Sequence, residues 1–556
     1  MAAGNSHYGE PIGASPAWDD AERPTMPGSA ANLTHTMPRR VAYALVAVLL
    51  GLTGGLGNSL VSANLPQIQG HLGLTPVQGG WLTAAYLMTS MSANLLLFKF
   101  RQQFGLRTFA QIGMPIYALV TILHLFVESF PMAIFVRLVS GFFTSVLSTL
   151  ATLYMVQAAS KRYSSQGTVL GVGLSQLATP VAWLLSPALL DLGEWRTLYL
   201  FESGLGLVCL AAVTLLHLPA GERVRVFQWQ DILTFVLLAP ALALLGAVLA
   251  QGRTQWWTAQ DWIAWALIGA LVLGAAAFIF EYCRAHPLLQ VRWIGAASTI
   301  RFVIGAVAIR FLLSEQTFGA VGLLRQLGMG PDQLQPLYAC MLLGLIVGIA
   351  ASALTIGPKT MIPQILASIL LIMVASYLDH HATSMTRPHD MFISQTLVSV
   401  GAGLFMGPLL LTCIGRALTS GGPAFIVSAS VVFSISQSLG GLAGPAALGT
   451  YQQYREHDYS AAINAHIDPT DPVVAARLAL QSGIYAKVVT DPALRQAEGV
   501  AVLAQTATRE ANVRAYDDVF LFTGLLAIGV LVWSLFHILR NDWRKRRLAA
   551  ARPPTH

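Results

Sequence analysis

The sequence predicts an all-α membrane protein with about fourteen transmembrane helices. Three observations carry this expectation. Hydrophobic residues make up 55% of the 556-residue chain and charged residues only 11%, with a mean hydropathy of +0.60; soluble proteins carry about 25% charged residues. The apolar residues gather into runs long enough to cross a bilayer, which takes about 20 residues of helix. The cations fall between those runs, mostly on alternate connections, as the positive-inside rule requires.

In chain order the apolar runs are 41–65, 77–98, 108–128, 131–157, 167–190, 198–218, 230–250, 262–282, 299–321, 335–356, 361–378, 391–413, 424–448 and 517–539. Gly 49 and Pro 27 do not argue against helices here, because neighbouring helices re-satisfy the backbone inside a membrane. With fourteen spans both termini share a side. Short connections and span ends on that side hold Lys99, Arg101, Arg107, Lys161, Arg162, Arg223, Arg225, Arg284, Arg292, Arg301, Lys359 and Arg416. Those opposite hold Arg196, Arg253, Arg325 and Arg387. Arg39, Arg40 and the run Arg544, Lys545, Arg546, Arg547 add to the first side, which predicts cytoplasmic termini and a cytoplasmic (inner) membrane location.

Residues 1–40 are polar and lack the apolar stretch of a signal peptide, so they read as a disordered cytoplasmic tail. Residues 540–556 read as a basic cytoplasmic tail. The polar segment 450–516 carries helix formers and apolar residues at helical spacing, and reads as an external helical segment.

Several function classes have no support. Gly357-Pro358-Lys359-Thr360 lacks the upstream glycine of a phosphate-binding loop, so ATP-driven transport is not expected. The four cysteines have no metal-ligand spacing and suggest no disulfide framework. Asp379, His380, His381, His389 and Asp390 fall in one stretch that reads as a solvated external loop rather than a metal site. No catalytic constellation is visible. An enzyme, a cofactor, a resident metal and a nucleic-acid partner are therefore not expected, and the net charge of +7 is accounted for by the positive-inside pattern.

Ionisable residues inside spans are costly and point to function. Arg137 lies in the fourth span, followed by Ser140, Gly141, Thr144 and Ser148, a small and polar face that must point into the bundle. Arg310 and Glu315 lie in the ninth span. Arg310 is nine residues beyond Arg301, about 13 Å deep by helical rise, near the depth where transporters bind substrate. Burial disfavours the charged form of a carboxyl, the property a proton carrier needs. Glu202 lies near the outer end of the sixth span and reads as a snorkelling residue or a carrier. His124 reads as a satisfied histidine, and Asp231 and Glu281 as anchors at helix ends. Gly167, Gly171, Ser175 and Thr179 recur every fourth residue before Pro180, and Ser430, Ser434, Ser438 and Gly441 form a similar face. Both suit closely approaching or gliding helices.

Together these features resemble the major facilitator superfamily, specifically the fourteen-span drug:proton antiporters of the EmrB/QacA type, over nearly the whole chain from residue 41. Arg137-Leu-Val-Ser-Gly141 is similar to the superfamily's Arg-x-x-x-Gly signature, Trp81-Leu-Thr-Ala-Ala-Tyr86 to its second-span opening, and Gln437-Ser-Leu-Gly-Gly441 to its C-terminal end. Asp231 to Pro287-Leu-Leu289 resembles the two-helix insertion of the fourteen-span type. The chain also departs from the pattern. Gly57 stands where the first span usually carries Asp. The loop after the second span keeps Gly105 but loses its Asp and both Arg, with Arg107 one place late. Ser186 and Pro187 replace paired glycines.

The resemblance implies a 6 + 2 + 6 major facilitator fold: bundles at 41–218 and 299–539, with two inserted helices in 219–298. It implies proton-coupled export of amphipathic organic compounds. Proton coupling falls to Arg137, Glu315 and Glu202. The substrate cavity falls to Arg310, Glu315, Asn58, Tyr86, Gln176 and Gln437. Gating and packing fall to Gly105, Arg107, Gly141, Gly167, Gly171, Pro180 and Gly441. In related Gram-negative pumps a periplasmic adaptor protein passes substrate to an outer-membrane channel, and 450–516 would face such an adaptor. Two alternatives stay open: a narrow metabolite or siderophore transporter with different or lost proton coupling, and a non-transporting sensor or assembly partner.

Overall fold

The computed structural model describes residues 33–191, 195–468 and 470–550, with residues 10–12, 19, 22, 24 and 28–31 of the N-terminal segment. Among the described residues, thirteen helices are long and apolar enough to cross a membrane. The first, α1, is Met37–Ala63. The next, Pro76–Phe126, contains two crossings. Gly105 interrupts it with φ 85° and ψ 166°, a left-handed backbone that glycine adopts without steric penalty. Tyr86 and Tyr117 donate to the adjacent carbonyls of Gly54 and Thr53 on α1. In a straight helix those tyrosines would stand about 46 Å apart, so the chain reverses at Gly105. The two arms are α2 (76–104) and α3 (106–126). The others are α4 Phe130–Ala158, α5 Lys161–Leu190, α6 Arg196–Leu215, α7 Trp229–Gln255, α8 Asp261–Tyr282, α9 Ala297–Gln326, α10 Pro331–Thr355, α11 Met361–Asp379, α12 Pro388–Gly421, α13 Ile426–Ala465 and α14 Pro492–Arg544. Each predicted apolar run falls on one of these fourteen helices.

Helix starts follow local chemistry. Proline occupies the first turn of α1, α2, α4 and α10, where its missing N–H costs nothing. Thr75 and Gln78 cap α2 reciprocally, side chain to backbone in both directions.

Two cores define two bundles. In α1–α6, Tyr43, Leu50, Tyr117, Leu147 and Tyr154 pack together. In α9–α14, Leu312, Ile372, Phe405, Ala429 and Ala527 do the same. A Cβ on Gly141 would lie 2.1 Å from the Tyr86 carbonyl oxygen, and one on Gly171 2.7 Å from Thr152 Cα. At these points α4 meets α2 and α5 almost backbone to backbone.

α7 and α8 are tied to the first bundle by buried charge. The Asp231 carboxylate accepts from Lys99 (2.9 Å) and from Arg284 (2.9 Å), and Arg284 also bonds Glu281 (2.5 Å). Thr234 donates to Glu281 as well. Two cations and two anions thus neutralise one another away from solvent, the condition under which buried charge is tolerated.

Two long helices continue beyond the bundle. α13 has 40 residues, about 60 Å of helix, twice a bilayer's apolar thickness. Its extension runs beside that of α14, stapled by Gln452–Asn512 (2.8 Å) and Arg455–Asp518 (2.6 Å). A helix at Pro472–Ile484, capped by Asp471, packs on the α14 extension, where a Cβ on Gly499 would meet Ser482. The polar segment 450–516 is therefore helical over most of its length, and it is continuous with two membrane helices.

The N-terminal tail departs from the loose segment expected. Its described stretches pair with the α6–α7 connection: Ile12 N–H to Arg223 O (2.8 Å), Gly28 N–H to Glu222 O (3.0 Å) and Ala31 N–H to Ala220 O (3.2 Å). Polar composition hid this because the pairing is made by backbone groups. The rest of that tail, and residues 551–556 of the C-terminal tail, lie outside the described residues.

Candidate functional site

A cavity of about 310 Å³ lies between the bundles, with walls from α1 and α5 on one side and α9, α10 and α12 on the other. Towards the end where α1 begins and α14 finishes, the bundles close on each other. A Cβ on Gly173 would meet Ile349 at 2.8 Å and one on Gly407 would meet Val169 at 2.6 Å, while Asn94 donates to Ser434 (3.0 Å). At the other end Trp183 stacks on Tyr338, ring centroids 4.8 Å apart, with the Arg325 guanidinium 5.0 Å from the Trp183 centroid. The helical ladder of α5 tightens to a 3₁₀ turn at Ser175–Leu177, just before Thr179 and Pro180 reach the cavity wall. Tighter turns of this kind mark bends in a helix.

Arg310 enters the cavity across a strip of glycines. Cβ atoms on Gly440 and Gly444 of α13 would collide with α9, at 2.7 Å from Val307 O and 3.0 Å from Phe311 O. The guanidinium then passes over Gly441, 3.3 Å from where its Cβ would be. Among the described residues Arg310 makes no hydrogen bond or ion pair. Gln176 faces it from the other bundle, with its buried Nε2 unpartnered.

Arg137 is handled differently. It is buried in the first bundle. It donates to the Leu82 carbonyl (3.0 Å), the Gly57 carbonyl (2.8 Å) and Asn58 Oδ1 (2.6 Å), and lies 4.5 Å from the Tyr86 ring centroid. Beside it stands Glu202 of α6. A Cβ on Gly57 would lie 2.6 Å from Glu202 Oε1, so the carboxyl of α6 occupies the space next to α1 that a side chain at position 57 would fill. Tyr117 donates to the same oxygen (3.4 Å). Glu202 is buried and does not snorkel; its distance from the helix end misled the sequence reading, because its rotamer turns inward.

A second acidic centre lies in the other bundle. Glu315 opens a π-helical turn in α9, Glu315–Ala320, a widening that recurs at functional sites. The amide of Gln395 on α12 donates to Glu315 Oε1 (3.0 Å) and to Asp379 Oδ2 at the end of α11 (2.8 Å). Glu315 and Gln395 are fully buried. Glu315 therefore stands behind the cavity wall rather than on it; its neighbours Gln316 and Thr317 line the wall instead. Asp379 is also corrected: it points into the bundle, away from the solvated loop expected of it. His389 and Asp390 stay exposed as a pair. Among the described residues no group of three or more His, Cys, Asp or Glu could hold a metal ion.

Of the six cavity candidates, Arg310 and Gln176 line the wall. Asn58 and Tyr86 belong to the Arg137 network, and the Gln437 amide is buried without a partner elsewhere. Arg107 is exposed, and among the described residues it makes no hydrogen bond or ion pair. His124 is held by the Val120 carbonyl (3.0 Å) and stacks on Tyr199. Sequence reasoning missed Asp379, Gln395 and Arg325. Asp379 follows the end of one apolar run and Gln395 lies in the first turns of the next, a signal indistinguishable from an ordinary span boundary.

Residues 47–445 match the family model of the Major Facilitator Superfamily. A triacylglyceride transporter of Mycolicibacterium smegmatis is 25% identical over 533 residues, covering 91% of this chain and 86% of that one. The transporter YebQ of Escherichia coli, described as uncharacterized, is 23% identical over 241 residues, 42% of this chain and 51% of that one. Among solved structures, the human organic anion transporter MFSD10 superposes with a TM-score of 0.54 at 14% identity, covering 89% of this chain and 100% of that one. The proton:xylose symporter XylE gives 0.53 at 12% identity, covering 88% and 95%. At these identities the two structures speak to the fold.

Proposed function

The chain belongs to the major facilitator superfamily and is a multi-pass membrane transporter, and on that premise we propose that it exports amphipathic organic compounds across the cytoplasmic membrane in exchange for protons. One observation carries the proton coupling: the Glu202 carboxyl fills the niche beside Gly57, next to Arg137. The resemblance to drug:proton antiporters places an acid on the first span there. In this chain a carboxyl on α6 instead reaches the space that a side chain at position 57 would fill. Glu202 then carries the proton, and Arg137, anchored on two backbone carbonyls, senses its charge. The buried acid pair Glu315 and Asp379, joined by Gln395, is a second proton-holding group in the other bundle. Like charges this close are unfavourable together.

The cavity supports an amphipathic cargo. Trp183, Leu313, Tyr338, Met341 and Leu345 supply apolar wall, and Gln176, Gln316 and Ser399 supply polar points, the usual composition of a ligand pocket. The names of relatives agree: triacylglyceride transporters of mycobacteria and an efflux pump of Hypomyces subiculosus. The positive-inside pattern supports cytoplasmic termini, which puts the helical extensions of α13 and α14 outside, where a periplasmic adaptor would meet them. A narrower exporter of one lipid-like metabolite is the second reading, and the mycobacterial names favour it.

Proteoliposomes of purified protein with an acid interior test both readings. A panel of amphiphilic compounds is added, and collapse of the gradient is followed for wild type and for Glu202→Gln. Collapse by several compounds, lost in the variant, is the expected result. Collapse by one compound selects the narrower reading. Collapse that persists in Glu202→Gln refutes the assigned carrier, and compound flux without proton movement refutes antiport.

A further inference from the structure

Among the described residues, the cationic side chains of the inter-bundle cavity have no counter-ions. Arg310 and Arg325 both line it. Among the described residues neither makes a hydrogen bond or an ion pair; Arg325 lies over the Trp183 ring and Arg310 over the glycines of α13. No acid is on this wall, and Glu315 is turned away behind it towards Gln395. A second cavity of about 520 Å³ adjoins the first through Thr317, Val321 and Arg325, and there Arg253 packs against the Phe318 ring, again without an ion pair. Glu456 is the acid on that second wall, at the far extension of α13.

This arrangement contrasts with most cations elsewhere in the described helices. Lys99, Arg284 and Arg455 are paired with carboxylates, and Arg137 is fully bonded. Outside the cavities Arg101 is the exception among the described residues, buried on the Phe98 ring without an ion pair. A guanidinium held near mid-membrane without a counter-charge carries a large desolvation cost. That cost is recovered when an anion arrives, since Arg presents a planar fork suited to carboxylate or phosphate.

We infer that the inter-bundle cavity is a site for anionic amphiphiles: Arg310 takes the carboxylate or phosphate head, and the Trp183–Tyr338–Leu345 wall takes the apolar tail. Arg325 and Arg253 continue the same positive potential from the cavity towards the end opposite the chain termini. This inference rests on the export reading and specifies its substrate class. A solute and a membrane lipid share the head-group chemistry, so the test separates them.

Full-length protein in phosphatidylcholine nanodiscs is titrated with octyl phosphate, octanoate, octanol and octyltrimethylammonium, for wild type, Arg310→Gln and Arg310→Lys, with thermal unfolding as the control for folding. The anions are expected to bind more tightly than octanol, and the cation not at all. Arg310→Gln should weaken anion binding about 30-fold while octanol binding is unchanged, and Arg310→Lys should restore part of the loss. Equal or tighter binding of the cation, or anion binding indifferent to Arg310→Gln in a folded variant, overturns the inference. Phosphatidylglycerol added to the nanodisc identifies the source: competition with octyl phosphate indicates a lipid head group, and its absence indicates a soluble amphiphile. Both of these outcomes uphold the anion site. Binding needs no gradient, so anions that bind while no compound moves protons defeat the export reading alone. Neutral compounds that move protons while anions fail to bind defeat this inference alone.

Discussion

The two bundles each place an arginine deep in a membrane helix, and they treat it in opposite ways. Arg137 spends its donors on Leu82, Gly57 and Asn58 and has the Glu202 carboxyl nearby. Arg310 makes no bond among the described residues and faces the cavity. The acids divide the same way: Glu202 touches the arginine network, whereas Glu315 and Asp379 are joined to each other through Gln395 and kept off the cavity wall. A satisfied cation beside a single acid is suited to answering a proton. An unsatisfied cation in a cavity is suited to answering a ligand. On the proposed function, the contrast would separate coupling machinery in the first bundle from the charge that recognises cargo in the second.

The largest expected effect breaks the satisfied side. Arg137→Ala leaves two carbonyls and Asn58 without their donor and Glu202 without its cation, and should cost about 3–5 kcal/mol in thermal unfolding of the detergent-solubilised protein. Arg310→Ala removes a cation with no partners, and its desolvation cost with it, so stability should be unchanged or raised. Equal losses for the two variants would erase the distinction. Asp231→Asn should cost about 3 kcal/mol, because Lys99 and Arg284 lose a shared counter-ion; proton flux per folded molecule should be little changed, which separates structural charge from coupling charge. Smaller still is Gly105→Ala. Its positive φ should cost about 1–2 kcal/mol, and flux should survive if the turn only reverses the chain. Smallest is Glu315→Gln. It should preserve the Gln395 bridge and reduce proton flux by less than about tenfold, against near-complete loss in Glu202→Gln; the reverse order would move the coupling site to the second bundle.

The fourteen crossings were legible because a bilayer demands about 20 apolar residues per helix whatever the tertiary structure. Even the Gly105 reversal was marked by a glycine between two apolar runs. Arg137 was legible too, since a small and polar face behind a buried cation must turn inward. Glu202 and Asp379 were not, because both lie near helix ends, where sequence cannot say whether a carboxyl turns towards solvent or into the bundle. The decisive contacts link residues far apart in the chain: Gly57 with Glu202, Glu315 with Gln395, Arg310 with Gly441. Helical periodicity reports which face of a helix is apolar. It does not report which helix lies against that face.

Proton coupling through Glu202 is tested most directly by exchanging the position of the carboxyl. Substrate-driven proton flux would be measured in proteoliposomes for wild type, Glu202→Ala and the double variant Glu202→Ala/Gly57→Asp. Glu202→Ala empties the niche beside Arg137, and Gly57→Asp returns a carboxyl to it from α1. Flux is expected to be lost in the single variant and regained in the double. Undiminished flux in Glu202→Ala, or no recovery in a double variant that folds as well as wild type, would contradict coupling through Glu202.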